Sequence, residues 1–159
     1  MLVFVAVVPS AGAQGRSDWR DYAWQKIDIA KCSPSMGQLI CPPFHEKWDW
    51  KRRQWVDIAI AINPATDRVY LTQQLTNDDP HDDDDVCVTV IVVDRAGNNV
   101  LVHHQNWKAR HGAVQQKEFS YRSGRLADAA TIHLGSKQCR KGAHQDDAVY
   151  AAVTARLSP

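Results

Sequence analysis

Between Asn77 and Val90 the chain reads NDDPHDDDDVCVTV, and six of the eight residues from Asp78 to Asp85 are aspartates. Calcium collects several carboxylate and carbonyl oxygens around one point, so Asp78, Asp79, Asp82, Asp83 and Asp85 are the candidate metal ligands, and calcium is the one cofactor the sequence suggests. The run lacks the glycine and the alternating spacing of an EF-hand loop. Consecutive aspartates on extended chain also point to opposite sides. The competing reading is a solvated acidic loop whose charge keeps the apolar strand after it from pairing with a second molecule.

A second group with chemical reach is HEKWDWKRRQW, His45 to Trp55, where Trp48, Trp50 and Trp55 are interleaved with Lys47, Lys51, Arg52 and Arg53. Trp48 and Trp50 would share one strand face. Exposed, such rings stack on sugars or receive a protein partner, and the cations beside them suit an anionic polymer. Buried, they anchor the N-terminal part of the chain on the rest. The candidate ligand- or partner-binding residues are therefore Trp48, Trp50, Arg52, Arg53 and Trp55.

Catalytic signatures are missing. There is no GxSxG elbow, and Ser136 and Lys137 are adjacent, which on a strand sends them to opposite faces. His103 and His104 are adjacent too, so a regular strand cannot turn both toward one metal. His81, His111 and His144 fall in polar loops, and His133 lies on a strand leading to Cys139. A hydrolase would need some of these histidines gathered with carboxylates in a cleft. No catalytic residue is assigned.

Four cysteines allow three pairings. Cys32 and Cys41 lie close together in a loop-like stretch with Pro34, Gly37, Pro42 and Pro43, which favours a Cys32–Cys41 bond and leaves Cys87 with Cys139. A staple of that size stabilises by roughly 2–3 kcal/mol. The spacings exclude the CxxC pairs of zinc sites, thioredoxin-like centres and covalent haem.

These groups must be positioned by a fold, and the N-terminus says where that fold resides. Leu2 to Val8 is an apolar run followed by Pro9, Ser10 and Ala11-Gly12-Ala13, the pattern of a secretory signal cleaved after Ala13. Its basic start is missing, so either the true start lies upstream of Met1 or the run is a buried apolar strand rather than a signal. Residues 1–13 are thus expected to be a signal peptide, 14–54 an irregular N-terminal extension stapled by Cys32–Cys41, and 55–159 a β-sandwich domain. Ser17 could cap a short helical turn in the extension. No stretch approaches the length of a transmembrane helix.

From Val56 the pattern has period two: Val56, Ile58, Ile60 and Ile62 alternate with Asp57, Ala59, Ala61 and Asn63. NPATDR, Asn63 to Arg68, reads as the turn of a hairpin whose return strand carries Val69, Leu71, Gln73 and Leu75. Val86 to Val93 is apolar on both faces, as a central strand is, and DRAGNN turns it into Val100 to Trp107. Further strands are expected near Val114–Tyr121, Thr131–Cys139 and Asp147–Leu157, with a corner at RLADAA. The sum is an all-β antiparallel sandwich of six to seven strands. In strand number and length it resembles the immunoglobulin-like and fibronectin-like group over roughly residues 55–158.

Charge narrows the partners. The 159 residues carry 19 Lys and Arg against 18 acids, but outside the acidic run the balance is 19 against 12, or +7. A basic body with one acidic spot permits anionic partners without requiring them, and export disfavours nucleic acid. The expected product is a secreted or periplasmic, non-enzymatic accessory protein that contacts an envelope or extracellular protein or a polysaccharide. A calcium-binding module using the Asp78–Asp85 loop and a small secreted hydrolase are the alternatives.

Overall fold

The computed structural model describes residues 23–49 and 53–138. Ten strands form: β1 (Ala23–Asp28), β2 (Ser33–Ser35), β3 (Gln38–Ile40), β4 (Phe44–Asp49), β5 (Gln54–Asn63), β6 (Arg68–Asn77), β7 (Asp84–Asp94), β8 (Asn99–Ala109), β9 (Ala113–Arg122) and β10 (Ala129–Gln138). They build two antiparallel sheets, one in the order β1-β10-β7-β8 and one in the order β2-β3-β5-β6-β9, with β4 also paired to β5. The architecture is that of a β-sandwich.

The alternation in β5 explains its register. Gln54, Val56, Ile58, Ile60 and Ile62 are buried while Asp57 and Ala59 face outward. A slip of one residue would send Asp57, Ala59 and Asn63 into the interior and bring out side chains whose burial contributes about 1.5–3 kcal/mol each. Across the interface, Val86, Val88, Val90 and Val92 of β7 and Ile132 and Leu134 of β10 complete the core with Phe44, Leu71 and Leu75. Strand β7 lies between β10 and β8, and its other face is covered as well, with Cys87, Thr89 and Ile91 fully buried. Its continuous apolar run is the signature of that central position.

The turns follow from single side chains. Asn63 Oδ1 accepts from the amides of Ala65 (3.1 Å) and Thr66 (3.2 Å), closing the β5–β6 hairpin. Asp94 Oδ1 does the same for Ala96 and Asn98, both at 2.9 Å, in the β7–β8 turn. The Asn98 bonds, with those to Ala96 and Arg125, hold the Asp94 carboxyl below its ordinary value. The Arg125 guanidinium, 2.6 Å from Asp94 Oδ2, ties that turn to the expected β9–β10 corner, where Leu126–Asp128 makes a single turn of 3-10 helix.

Two expectations need correction. The strands number ten among the described residues, not six or seven, and the irregular extension expected over 14–54 is, between Ala23 and Asp49, four strands joined to both sheets. Cys32, Pro34, Gly37, Cys41, Pro42 and Pro43 hide β2, β3 and β4 by breaking the chain into pieces too short to show alternation. From Gln38 to Asp49 the chain in fact runs along one edge of β5, first as β3 and then as β4. Cys41 bridges the break by donating its amide to Ile60 O at 3.0 Å. The Cys32–Cys41 disulfide forms as expected. Cys87 is also disulfide-bonded, while its expected partner Cys139, the expected signal peptide, Ser17 and the Asp147–Leu157 strand lie outside the described residues. Within the described part of that stretch a 3-10 turn, Ile29–Lys31, is capped by Asp28.

Candidate functional site

Strand pleating gives the six-stranded sheet an outer face, and register decides what meets there. One row across it runs His45, Asp57, Gln74, Gln116, contributed in turn by β4, β5, β6 and β9. The adjacent row places Ala59 beside Thr72. Because Ala59 and Thr72 are short and their neighbours long, the face is hollowed into a shallow groove of about 330 Å³ with Pro43, His45, Asp57, Gln74 and Gln116 around it. Its lining is more apolar than polar, with the polar groups of His45, Asp57, Thr72, Gln74 and Gln116 set among Pro43, Phe44, Ile58 and Ala59.

His45 Nδ1 lies 2.5 Å from Asp57 Oδ1, directly across the strand pair, so the imidazole donates from Nδ1 to the carboxylate. In the neutral ring Nε2 is then an acceptor. The two glutamine amides each offer a donor pair and an acceptor, and Thr72 adds a hydroxyl. Trp55, half-buried, stands beyond His45 with ring centroids 6.2 Å apart, and Tyr70 is exposed on the other side of the Ala59–Thr72 row. Ile40, Tyr70 and Val114 all point from this same face, and with the hairpin residue Met36 they are the exposed large hydrophobics among the described residues.

Of the residues expected to bind a partner, Trp55 does not line the groove but stands next to it, against His45. Arg53 is exposed at a positive φ of 56° before β5, 3.5 Å from Asp78 Oδ2. Trp48 lies in β4, but its side chain, like Trp50 and Arg52 altogether, is outside the described residues. His45, Asp57, Tyr70, Gln74 and Gln116 escaped the sequence reading. The signal that could have found them was the polar half of each alternating strand, treated there only as a solvated face.

The aspartates are engaged in holding the crossover from β6 to β7. Asp79 Oδ1 accepts from the amides of His81 (2.8 Å) and Asp82 (3.0 Å). Asp83 takes His111 through both its amide and its ring, with Lys108 at 3.1 Å, and these contacts hold its carboxyl well below the usual range. Asp84 is buried at the start of β7, Asp85 is half-buried and Asp82 is exposed. Among the described residues no three His, Cys, Asp or Glu side chains converge as a metal ion requires. Excess calcium is accordingly expected to leave the melting temperature unchanged; a rise that grows with calcium concentration would restore the metal reading.

The histidines are dispersed. His103 is inside the sandwich, His133 lies on the other face of β10 near Lys26, and His144 falls outside the described residues. No protein-family model matches the chain, and none of the curated proteins matches it.

Proposed function

We propose that the protein is an exported, non-enzymatic binding module that holds a neutral polysaccharide on the outer face of its six-stranded sheet. The observation that carries this reading is the groove itself: an open hollow whose rim supplies amides, a hydroxyl and an imidazole, with aromatic rings on both sides. Hydroxyl-rich ligands need donors and acceptors in alternation, and glutamine gives both from one side chain. Sugar rings also present apolar faces that pack on aromatic rings such as Trp55 and Tyr70. Binding is favoured over hydrolysis because the His45–Asp57 pair at the groove is open to solvent rather than buried, with side chains 58% and 40% exposed. A general acid or base is usually tuned by burial.

Export is supported by the apolar stretch Leu2–Val8 and by the Cys32–Cys41 disulfide, which persists in oxidising compartments. Among the described residues no helix is long and apolar enough to cross a membrane. We read the finer fold as immunoglobulin-like: β5-β6-β9 and β8-β7-β10 follow its Greek-key order, and β1 occupies the edge that a final strand holds in that group.

Co-sedimentation with insoluble glucans, xylan and chitin tests the proposal. Trp55→Ala is expected to weaken binding about tenfold, the loss of one stacked ring, and Gln74→Ala to weaken it further while the fold stays intact. Failure of the wild type to bind any of these polymers, or equal binding by wild type and both variants, would overturn it.

A further inference from the structure

Strand β9 ends the six-stranded sheet, and its outer edge has no neighbour among the described residues. Such an edge is a row of unpaired amides and carbonyls, which proteins usually blunt with a short strand, a proline or a bulge. At the opposite edge β2 is three residues long. At the edges of the other sheet β1 is six residues long and β8 pairs through a register shift at Val92/Val93. Strand β9 has none of these devices: it is ten residues long, holds no proline, and pairs with β6 without a break from Ala113 to Arg122.

Alternation divides its side chains between two faces. Phe119 and Tyr121 pack against the core and Lys117 lies over the Trp107 ring at 4.6 Å, whereas Gln116, Glu118, Ser120 and Arg122 are exposed on the outer face. Arg122 is opposite Arg68 in the β6–β9 ladder, so two guanidinium groups adjoin there, and Arg68 Nη1 donates to Ser120 Oγ at 3.1 Å. Among the described residues neither Glu118 nor Arg122 forms an ion pair.

We propose that β9 pairs antiparallel with β9 of a second copy about a two-fold axis at Ser120, joining the two six-stranded sheets into one. Two identical strands have few registers in which to pair, because a slip of one residue turns the core face of one copy outward. With the core faces kept together, centring the pair on Lys117, Glu118 or Arg122 sets like charges directly opposite, and the remaining centres other than Ser120 leave the charges unmatched. Centred on Ser120, Glu118 of each copy meets Arg122 of the other on the outer face, and Phe119 of each meets Tyr121 of the other on the inner face. Opposite charges and aromatic rings directly across a ladder stabilise it, and like charges oppose it. Backbone pairing alone would accept any extended strand; the self-complementary order of Glu118 and Arg122 is what selects a second copy.

Sedimentation velocity of the full chain is expected to show a monomer–dimer equilibrium that weakens with added salt. Glu118→Arg and Arg122→Glu each set two like pairs across the junction and should weaken dimerisation at least about tenfold. The Glu118→Arg/Arg122→Glu double variant restores both pairs with their signs exchanged, and should dimerise within about threefold of wild type. An equimolar mixture of the two single variants is complementary only between unlike chains and should form heterodimers. Both side chains are exposed, so far-ultraviolet circular dichroism should not change, and no polysaccharide enters the measurement, which keeps this proposal separable from the groove. A wild type that stays monomeric at about 100 μM, single variants that dimerise as wild type does, or a double variant as weak as the single ones would each overturn it.

Discussion

Replacing Asn77 with alanine should cost about 4 kcal/mol of folding stability and lower the melting temperature by about 10 °C. The side chain is fully buried at the point where the chain leaves the six-stranded sheet for the four-stranded one. Its Oδ1 accepts from Gln54 Nε2 at 2.7 Å and from the Asp79 amide at 3.0 Å, and its Nδ2 donates to the carbonyls of Asp82 and Ala109, each at 3.0 Å. One amide thus joins β5, the acidic crossover and the end of β8. Each such bond is worth about 1 kcal/mol net, and truncation also leaves the buried Gln54 Nε2 without its acceptor. Asn77→Asp keeps the shape but sets a carboxylate oxygen against the two carbonyls, in a loop already full of aspartates. It should therefore be at least as damaging at pH 7, and less damaging once the new carboxyl is protonated. Urea denaturation of both variants is the measurement; a loss below about 1 kcal/mol for Asn77→Ala would mean that water replaces the amide and that the crossover is held elsewhere.

Much of the fold could be read where one residue in two is apolar and a turn residue punctuates the strand. Val56 to Ile62 and Val69 to Leu75 announced β5 and β6, and Asn63 and Asp94 make the turns their types suggest. Strand β1 was invisible for a different reason. At the edge of its sheet Ile27 is buried while Lys26 and Asp28 are exposed, so the apolar period that a half-buried strand shows is nearly absent. Asn77 was invisible because a fully bonded buried amide and a solvated loop amide are the same letter.

The groove posed a harder problem. His45, Asp57, Gln74 and Gln116 are neighbours only through the register of three strand pairs. Nothing in their spacing along the chain encodes that row. The acidic run misled in the opposite direction, since proximity in sequence implied convergence. Here Asp79 turns inward to cap its own loop while Asp83 reaches across to His111 and Lys108.

Acidification from pH 7 to pH 4 should remove about 3 kcal/mol of stability through His103 alone. This histidine is 1% exposed between the sheets, with Gln73 of β6 and with Phe119 and Tyr121 of β9 packed against it. Gln73 Nε2 donates to its Nε2 at 2.6 Å, and its Nδ1 donates to the Tyr121 hydroxyl. One nitrogen accepting and one donating is the pattern of the neutral ring; an imidazolium would have nothing with which to accept from the amide. Burial first, and the adjacent His104 second, lower its pKa from 6.5 to about 4. The unfolded chain takes up this proton near pH 6.5 and the folded chain only near pH 4. The stabilisation is therefore complete above pH 6.5 and is lost as the pH falls between those values. His133, lowered by burial and by Lys26, acts in the same direction. Asp83 and Asp94, both held below 3.8, lose their contribution only at more acid pH, outside this window. Tyr121, raised by burial, stays neutral throughout. In a Gln73→Leu/His103→Phe double variant the buried amide–imidazole pair is gone together and the half-buried Tyr121 hydroxyl is left to water, so stability at pH 7 should change little while the slope between pH 4 and 6.5 falls to the residue left by His133. Urea titrations of both proteins across that range measure it, and an unchanged slope in the double variant would show that His103 does not carry the acid sensitivity.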